Sequence, residues 1–184
     1  MGLDMYIYKA SKPTGIKTDI VHDYDEFSNR GFSLFAAENA EGEKWFADLM
    51  PYCVKVRCVA EYYDVPRIAK AYNLGENAHW CGFGPDGTYF IGDNKEVTVT
   101  DEEVEKFCIK KEEEWYVTHI KEIAYWRKHY KLQDWFYENL EYVENCGYHI
   151  LNADLIAEMN AKFNESVSED DPTDKEALFY HEWY

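Results

Sequence analysis

Paired cysteines, long apolar runs and basic residues are what this chain has least of. Its five cysteines, Cys53, Cys58, Cys81, Cys108 and Cys146, are odd in number and contain no C-x-x-C pair. That excludes a disulfide framework read from spacing and fits a reducing compartment. No stretch approaches the roughly 18 apolar residues a spanning helix needs, and Asp4 stands where a secretory leader would be basic and then apolar. The sequence therefore predicts a cytoplasmic protein with no membrane partner. Tyr6, where Ser or Thr would be required, removes a myristoylation signal on Gly2. Lys and Arg number 19 against 36 Asp and Glu, for a net charge of −17. An exterior this acidic repels nucleic acid and anionic lipid and attracts basic surfaces.

What the chain has in quantity is aromatic surface. Phe, Trp and Tyr make up 17% of it, with 16 Tyr, which separates it from the disordered acidic tails that lack the apolar surface to fold. Its 184 residues suffice for one core without metal or disulfide, and no repeat, low-complexity tract or linker divides them. A single domain over residues 1–184 is expected.

The richest stretch is 121–140, KEIAYWRKHYKLQDWFYENL. At 100° per residue, Tyr125, His129, Leu132, Phe136 and Val143 share one arc, and Ile123, Trp126, Tyr130 and Tyr137 a neighbouring one. Arg127, Lys128, Lys131, Asp134 and Glu138 form the strip left for water. The pattern predicts a central helix covered on two faces. Residues 1–9 alternate Leu3, Met5 and Ile7 with Asp4, Tyr6 and Tyr8, the period of a half-buried strand, and Val54, Val56, Cys58 and Ala60 predict a second. Residues 17–40 read as loop with a short helix. Pro66 and Gly75 bracket a short helix, and turn signals at 85–87 and 92–94 separate the strands of a small meander. Thr100 with Glu103 forms a capping box and starts a helix at Asp101 that would carry Glu112, Glu113 and Glu114 near its end. Asn152 caps a further helix, and Pro172, Thr173 and Glu176 start a last short one. The fold class expected is α+β, a small antiparallel sheet packed against a central aromatic-rich helix, with further helices in the C-terminal half.

No pattern states a reaction. Gly82, Gly84 and Gly87 suggest a phosphate loop, but the segment lacks the following Lys-Ser/Thr and leads into a strand, so it reads as a turn. His79 and Cys81 have no second ligand pair, and His119 and His129 fall on different faces of a helix, so no metal site is predicted. Cys58 and Cys108 lie on apolar stripes and read as small core residues. The basic group Lys121, Arg127, Lys128, His129 and Lys131 lies among carboxylates, which predicts local ion pairs rather than nucleic-acid contact. No catalytic residue, metal or cofactor is assigned. Two acidic groups remain as partner-binding candidates: Asp101, Glu102, Glu103 and Glu105 with Glu112, Glu113 and Glu114, and the loop Glu169, Asp170 and Asp171.

Three segments, MGLDMY at the start, YWRK with Leu132, Trp135 and Phe136, and YHEWY at residues 180–184, resemble an uncharacterised group of phage and prophage proteins. That group begins MGLDMYL and carries a YWRK…WF helix and a late acidic-aromatic segment. The resemblance covers roughly the first eight residues and the last sixty. It implies a phage or mobile-element origin, a bacterial host cytoplasm and no enzymatic activity. Joined to the charge, it leads to the expectation of an acidic binding protein of the anti-CRISPR type. Such a protein would inhibit a host nucleic-acid-binding defence protein, for example a CRISPR nuclease, sterically or as a DNA mimic, without touching nucleic acid itself. The alternative from another class is a small enzyme acting on a sugar or nucleotide in an aromatic-lined pocket, and a third is a homo-oligomeric structural protein.

Overall fold

The structure is a computed structural model and describes residues 2–167 and 175–184. In chain order the elements are β1 (Asp4–Ser11), β2 (Val21–Asp23), α1 (Tyr24–Asn29), β3 (Ser33–Ala36), α2 (Ala37–Ala40), α3 (Lys44–Ala47), β4 (Val54–Tyr63), α4 (Val65–Tyr72), β5 (His79–Gly84), β6 (Gly87–Ile91), β7 (Glu96–Val99), α5 (Asp101–Val104), β8 (Cys108–Arg127), α6 (Tyr130–Asn139), β9 (Tyr148–Leu151), α7 (Ala153–Phe163) and β10 (Glu176–Trp183). One sheet runs β2-β4-β8-β1-β10-β9, with β3 also on β8, and a second runs β5-β6-β7. The fold is α+β. The chain divides into two compact units, Met1–Cys58 with Glu113–Tyr184 and, inserted between them in sequence, Val59–Glu112.

In the first unit, β1 is paired along its whole length on both flanks, antiparallel to β10 and to β8. Period-two alternation sends Met5 and Ile7 to one face and Tyr6 and Tyr8 to the other. The aliphatic face packs with Leu178 and Tyr180 of β10 against Leu132, Trp135 and Phe136 of α6 and Ile156 and Met159 of α7. Phe136 stacks on Tyr180 at 3.9 Å between centroids. Beside them the carboxylate of Glu182 is fully buried, with no cation paired to it among the described residues. It accepts from the hydroxyls of Tyr180 and Tyr137, both at 2.6 Å, and from the Gln133 amide at 3.1 Å. Three donors replace the water it lost.

On the opposite face, Ala10, Ala177 and Phe179 are covered by Phe46, Leu49 and Cys53, from α3 and the turns after it. A further cluster gathers Phe27, Val56, Cys58 and Val117. The second unit packs α4 and α5 on the meander through Ile68, Leu74, Phe90, Val99 and Val104. Asp64 caps α4 by accepting from the Arg67 amide at 3.2 Å, and Asn73 in the left-handed region ends it.

Several expectations hold: β1, β4, the α4 boundaries, the meander and the Asn152 cap are where the sequence puts them. The central helix does not extend over 121–140. Its first third is the end of β8, and the helix starts at Tyr130, with His129 as cap, its Nδ1 accepting from the Leu132 amide at 3.1 Å. A register shift in the pairing of β8 with β1 explains the misreading: Ile7 lies opposite Ala124 and Tyr8 opposite Glu122, leaving Ile123 unpaired. Ile123, Ala124 and Trp126 then all pack on the helix-facing core, and the spacing 123, 124, 126 imitates a helical stripe. The helix at Asp101 begins with both bonds of the capping box, but lasts four residues and a 3-10 turn before β8 takes over at Cys108. Glu112, Glu113 and Glu114 therefore lie on a strand. Of the last helix expected, residues 171–174 lie outside the described residues, and the segment from Glu176 is a strand. Residues 17–40, expected as loop with a short helix, contain β2, α1, β3 and α2.

Replacing Phe136 by Ala removes the ring that stacks on Tyr180 and should cost about 3–5 kcal/mol in urea-induced unfolding of the purified chain, the usual range for a buried Phe.

Candidate functional site

Among the described residues, the predicted partner-binding acids lie on or beside two elements, α5 and β8. Asp101, Glu102 and Glu103 occupy the first turn of α5, exposed, with Glu105 just after it. Glu103 is committed to the capping box, its carboxylate accepting from the Thr100 hydroxyl at 2.9 Å. On β8, alternation sends Glu112 and Glu114 to one face and Glu113 to the other. Glu114 bridges Lys55 at 2.9 Å, and Lys55 also holds Glu41 at 2.7 Å. The hydrogen bonds from Lys55 and Tyr116 hold the Glu41 carboxyl below its usual range, and the two carboxylates push the Lys55 ammonium up. Glu114 is thus a member of an ion-pair cluster rather than a free negative point. Glu169, Asp170 and Asp171 lie outside the described residues.

What the first unit assembles instead is a tyrosine face. In antiparallel pairing, directly opposed residues put their side chains on one side. Tyr6 lies opposite Tyr125 of β8 and His181 of β10, and His181 opposite Tyr148 of β9. One row of rings therefore crosses four strands. In the next row Asp4 lies between Arg127 and Trp183, and on the other side Tyr8 lies between Glu122 and Phe179. Tyr6 and Tyr8 are parallel to within 9° at 5.1 Å, Tyr6 is 5.1 Å from Tyr125, and His181 stacks on Tyr148 at 4.6 Å. The inner end of this face is the layer under Phe46 and Leu49. Its outer end is open, Tyr125 being 46% and Trp183 58% exposed.

The polar edges of the face are defined. The Tyr125 hydroxyl donates to Asp4 at 2.7 Å, and the Arg127 guanidinium lies 3.8 Å from the same carboxylate. Burial, then the nearby Asp4 and Glu122 charges, raise the Tyr6 phenol. Burial and its neighbours push Tyr8 up to about 12, and the bond to Asp4 raises Tyr125. These phenols stay neutral and keep their O–H donors through the physiological range. His181 Nδ1 donates to the Gly147 carbonyl at 2.9 Å, which leaves Nε2 as the acceptor of a neutral ring. Burial is the main cause that lowers its pKa.

Burial pushes the thiols of Cys53 and Cys58 up to about 12 and about 11, which suppresses the reactive thiolate. Among the described residues no group of three or more His, Cys, Asp or Glu could hold a metal ion, and no helix is long and apolar enough to cross a membrane. The tyrosine face was not read from the sequence as a site. Its signal was the Tyr6–Tyr8 alternation, but only the pairing with β8 and β10 brings Tyr125, His181 and Trp183 beside it. Searches of protein-family models, of curated proteins and of solved structures find no match to this chain.

The lowered His181 pKa has a sign. The unfolded chain binds a proton at this ring more readily than the folded one, so stability rises with pH through this window. It is lost as pH falls from the unfolded value, about 6.5, toward the depressed folded one. Replacing His181 by Gln should flatten the loss of stability between about pH 7 and pH 5.5, measured by urea unfolding at each pH.

Proposed function

We propose that this chain acts by binding, and that the open tyrosine face is the surface that docks a basic region of another protein. The observation that carries the reading is the row Tyr125, Tyr6 and His181, with Trp183 and Asp4 at its outer edge, mounted on a sheet whose other face is a packed core. Tyrosine gives large, rigid, amphipathic contact area with little side-chain entropy to lose, which is why it dominates protein-binding surfaces. Asp4 and Glu122 put carboxylates beside the rings, and a net charge of −17 favours encounter with a cationic partner. A nucleic-acid-binding protein is the partner class with a large basic surface to offer. The resemblance of MGLDMY and YWRK…WF to phage proteins narrows the proposal to an inhibitor of a host nucleic-acid-binding defence protein, with an RNA-guided nuclease as the first target to test. Inhibition would be by steric occupation of a basic channel, the tyrosine face supplying the contacts and the acids of α5 the long-range attraction.

Titration of the purified chain against such a nuclease, with and without guide and DNA, tests this. Binding should weaken steeply from low to physiological salt and compete with DNA. Replacing both Tyr125 and Trp183 by Ala should weaken it by about 30-fold or more, the scale of a lost hot spot. Reversing Asp101, Glu102 and Glu105 to Lys should slow association more than it speeds dissociation. Salt-independent binding that ignores the Tyr125 and Trp183 changes would reject the proposal.

A further inference from the structure

The second unit carries its own contact feature. Among the described residues β5 pairs only with β6, so it is the edge of the three-stranded sheet and one flank of its backbone is unpaired. Exposed edges are ordinarily blocked by charge or Pro, and by bulges. The strand His79–Gly84, HWCGFG, has neither Lys, Arg, Asp, Glu nor Pro; its one irregularity is at Cys81, between Trp80 and Gly82. Phe83 is 70% and Trp80 45% accessible, and the irregularity at Cys81 brings both rings to one side of the strand, where they meet edge to face at 5.2 Å. Gly82 leaves its backbone uncovered, since a Cβ there would meet nothing within 4 Å. Beside these rings lies a cavity of about 580 Å³, lined by Glu61, Tyr62, Tyr63, Val65 and Cys108 together with Trp80 and Phe83.

We infer that β5 and this groove form a strand-addition site for an extended segment of a partner protein, apolar on alternate residues and carrying Lys or Arg between them. The open flank of β5 supplies main-chain donors and acceptors, and the groove takes the side chains of one face. Trp80 and Phe83 are the type of side chain that anchors such contacts. Charge selects the occupant: the carboxylate of Glu61 is in the groove, and acids outnumber bases over residues 59–112. An acidic segment would be repelled, and a second copy of this chain would bring β5 against a unit of the same sign. This inference is independent of the tyrosine face, with which it shares no residue.

The test is a random dodecapeptide display library selected against the full-length chain, followed by fluorescence anisotropy on the enriched peptides. Enriched sequences should alternate apolar residues with Lys or Arg. Their binding should fall by about 30-fold or more in the Trp80→Ala/Phe83→Ala double variant, whose altered side chains are exposed. It should also weaken and lose salt dependence in Glu61→Gln, and be unchanged in Tyr125→Ala. N-methylation of alternate peptide amides should abolish it, because strand addition needs those donors. Circular dichroism of each variant separates lost binding from lost folding. The inference is overturned by enrichment of acidic peptides or of none, by equal binding to the double variant, or by tolerance of N-methylation. It also fails if sedimentation shows a dimer that Phe83→Ala dissolves, since a second copy would then be the occupant.

Discussion

The pairing of β1 with β10 on one flank and β8 on the other is the constraint on which the first unit depends. Eight residues of β1 find partners on both sides, so strands from the beginning, middle and end of the chain are locked into one register. A slip by one residue would exchange Met5 and Ile7 with Tyr6 and Tyr8, placing phenols in the aliphatic core and aliphatics in water. The two faces therefore specify each other. The core under α6 and α7 fixes the register, and the register gathers the tyrosines into rows.

Charge is handled differently inside and outside that frame. Inside, Glu182 is met by neutral donors, two phenols and an amide, and by no cation among the described residues. This arrangement joins α6 to β10 through directional bonds and avoids the desolvation of a second ion. Outside, Lys55 bridges Glu41 and Glu114, and Arg127 lies beside Asp4. With 36 acids and 19 bases, one-to-one pairing cannot neutralise the exterior. The excess supplies a long-range field, and a field sets encounter rate while rings and hydrogen bonds set dwell time.

How much of this could be read from the sequence follows from periodicity. β1 was legible because its two faces differ, aliphatic against phenolic, and the meander because its turns carry Pro85, Asp86 and Gly92 in the required places. β10 was not, because Ala177 and Phe179 pack on one layer while Leu178 and Tyr180 pack on the other. A strand apolar on both sides has no period to detect. The end of β8 was hidden by the unpaired Ile123, and α6 lacks a Ser, Thr, Asp or Asn cap because His129 does that work. Acidic density along the chain is blind to alternation. On a strand, three consecutive Glu cannot share a face, and one of them already had Lys55.

The tyrosine face and the β5 edge were missed for a common reason that also bears on function. Neither is a motif. Each is a product of pairing, one across four strands and the other from the absence, among the described residues, of a second partner for β5. A catalytic site leaves a trace in sequence because its chemistry demands particular residue types at close to fixed geometry. A contact surface demands shape, rigidity and a compatible field, which many residue combinations satisfy. Under the proposed binding role, the exposed rings of Tyr125 and Trp183 on the open sheet face and of Trp80 and Phe83 on the open edge strand are where such a demand would act. On that proposal the acidity limits the choice of partner, because a negative field draws in cationic surfaces and keeps anionic ones away.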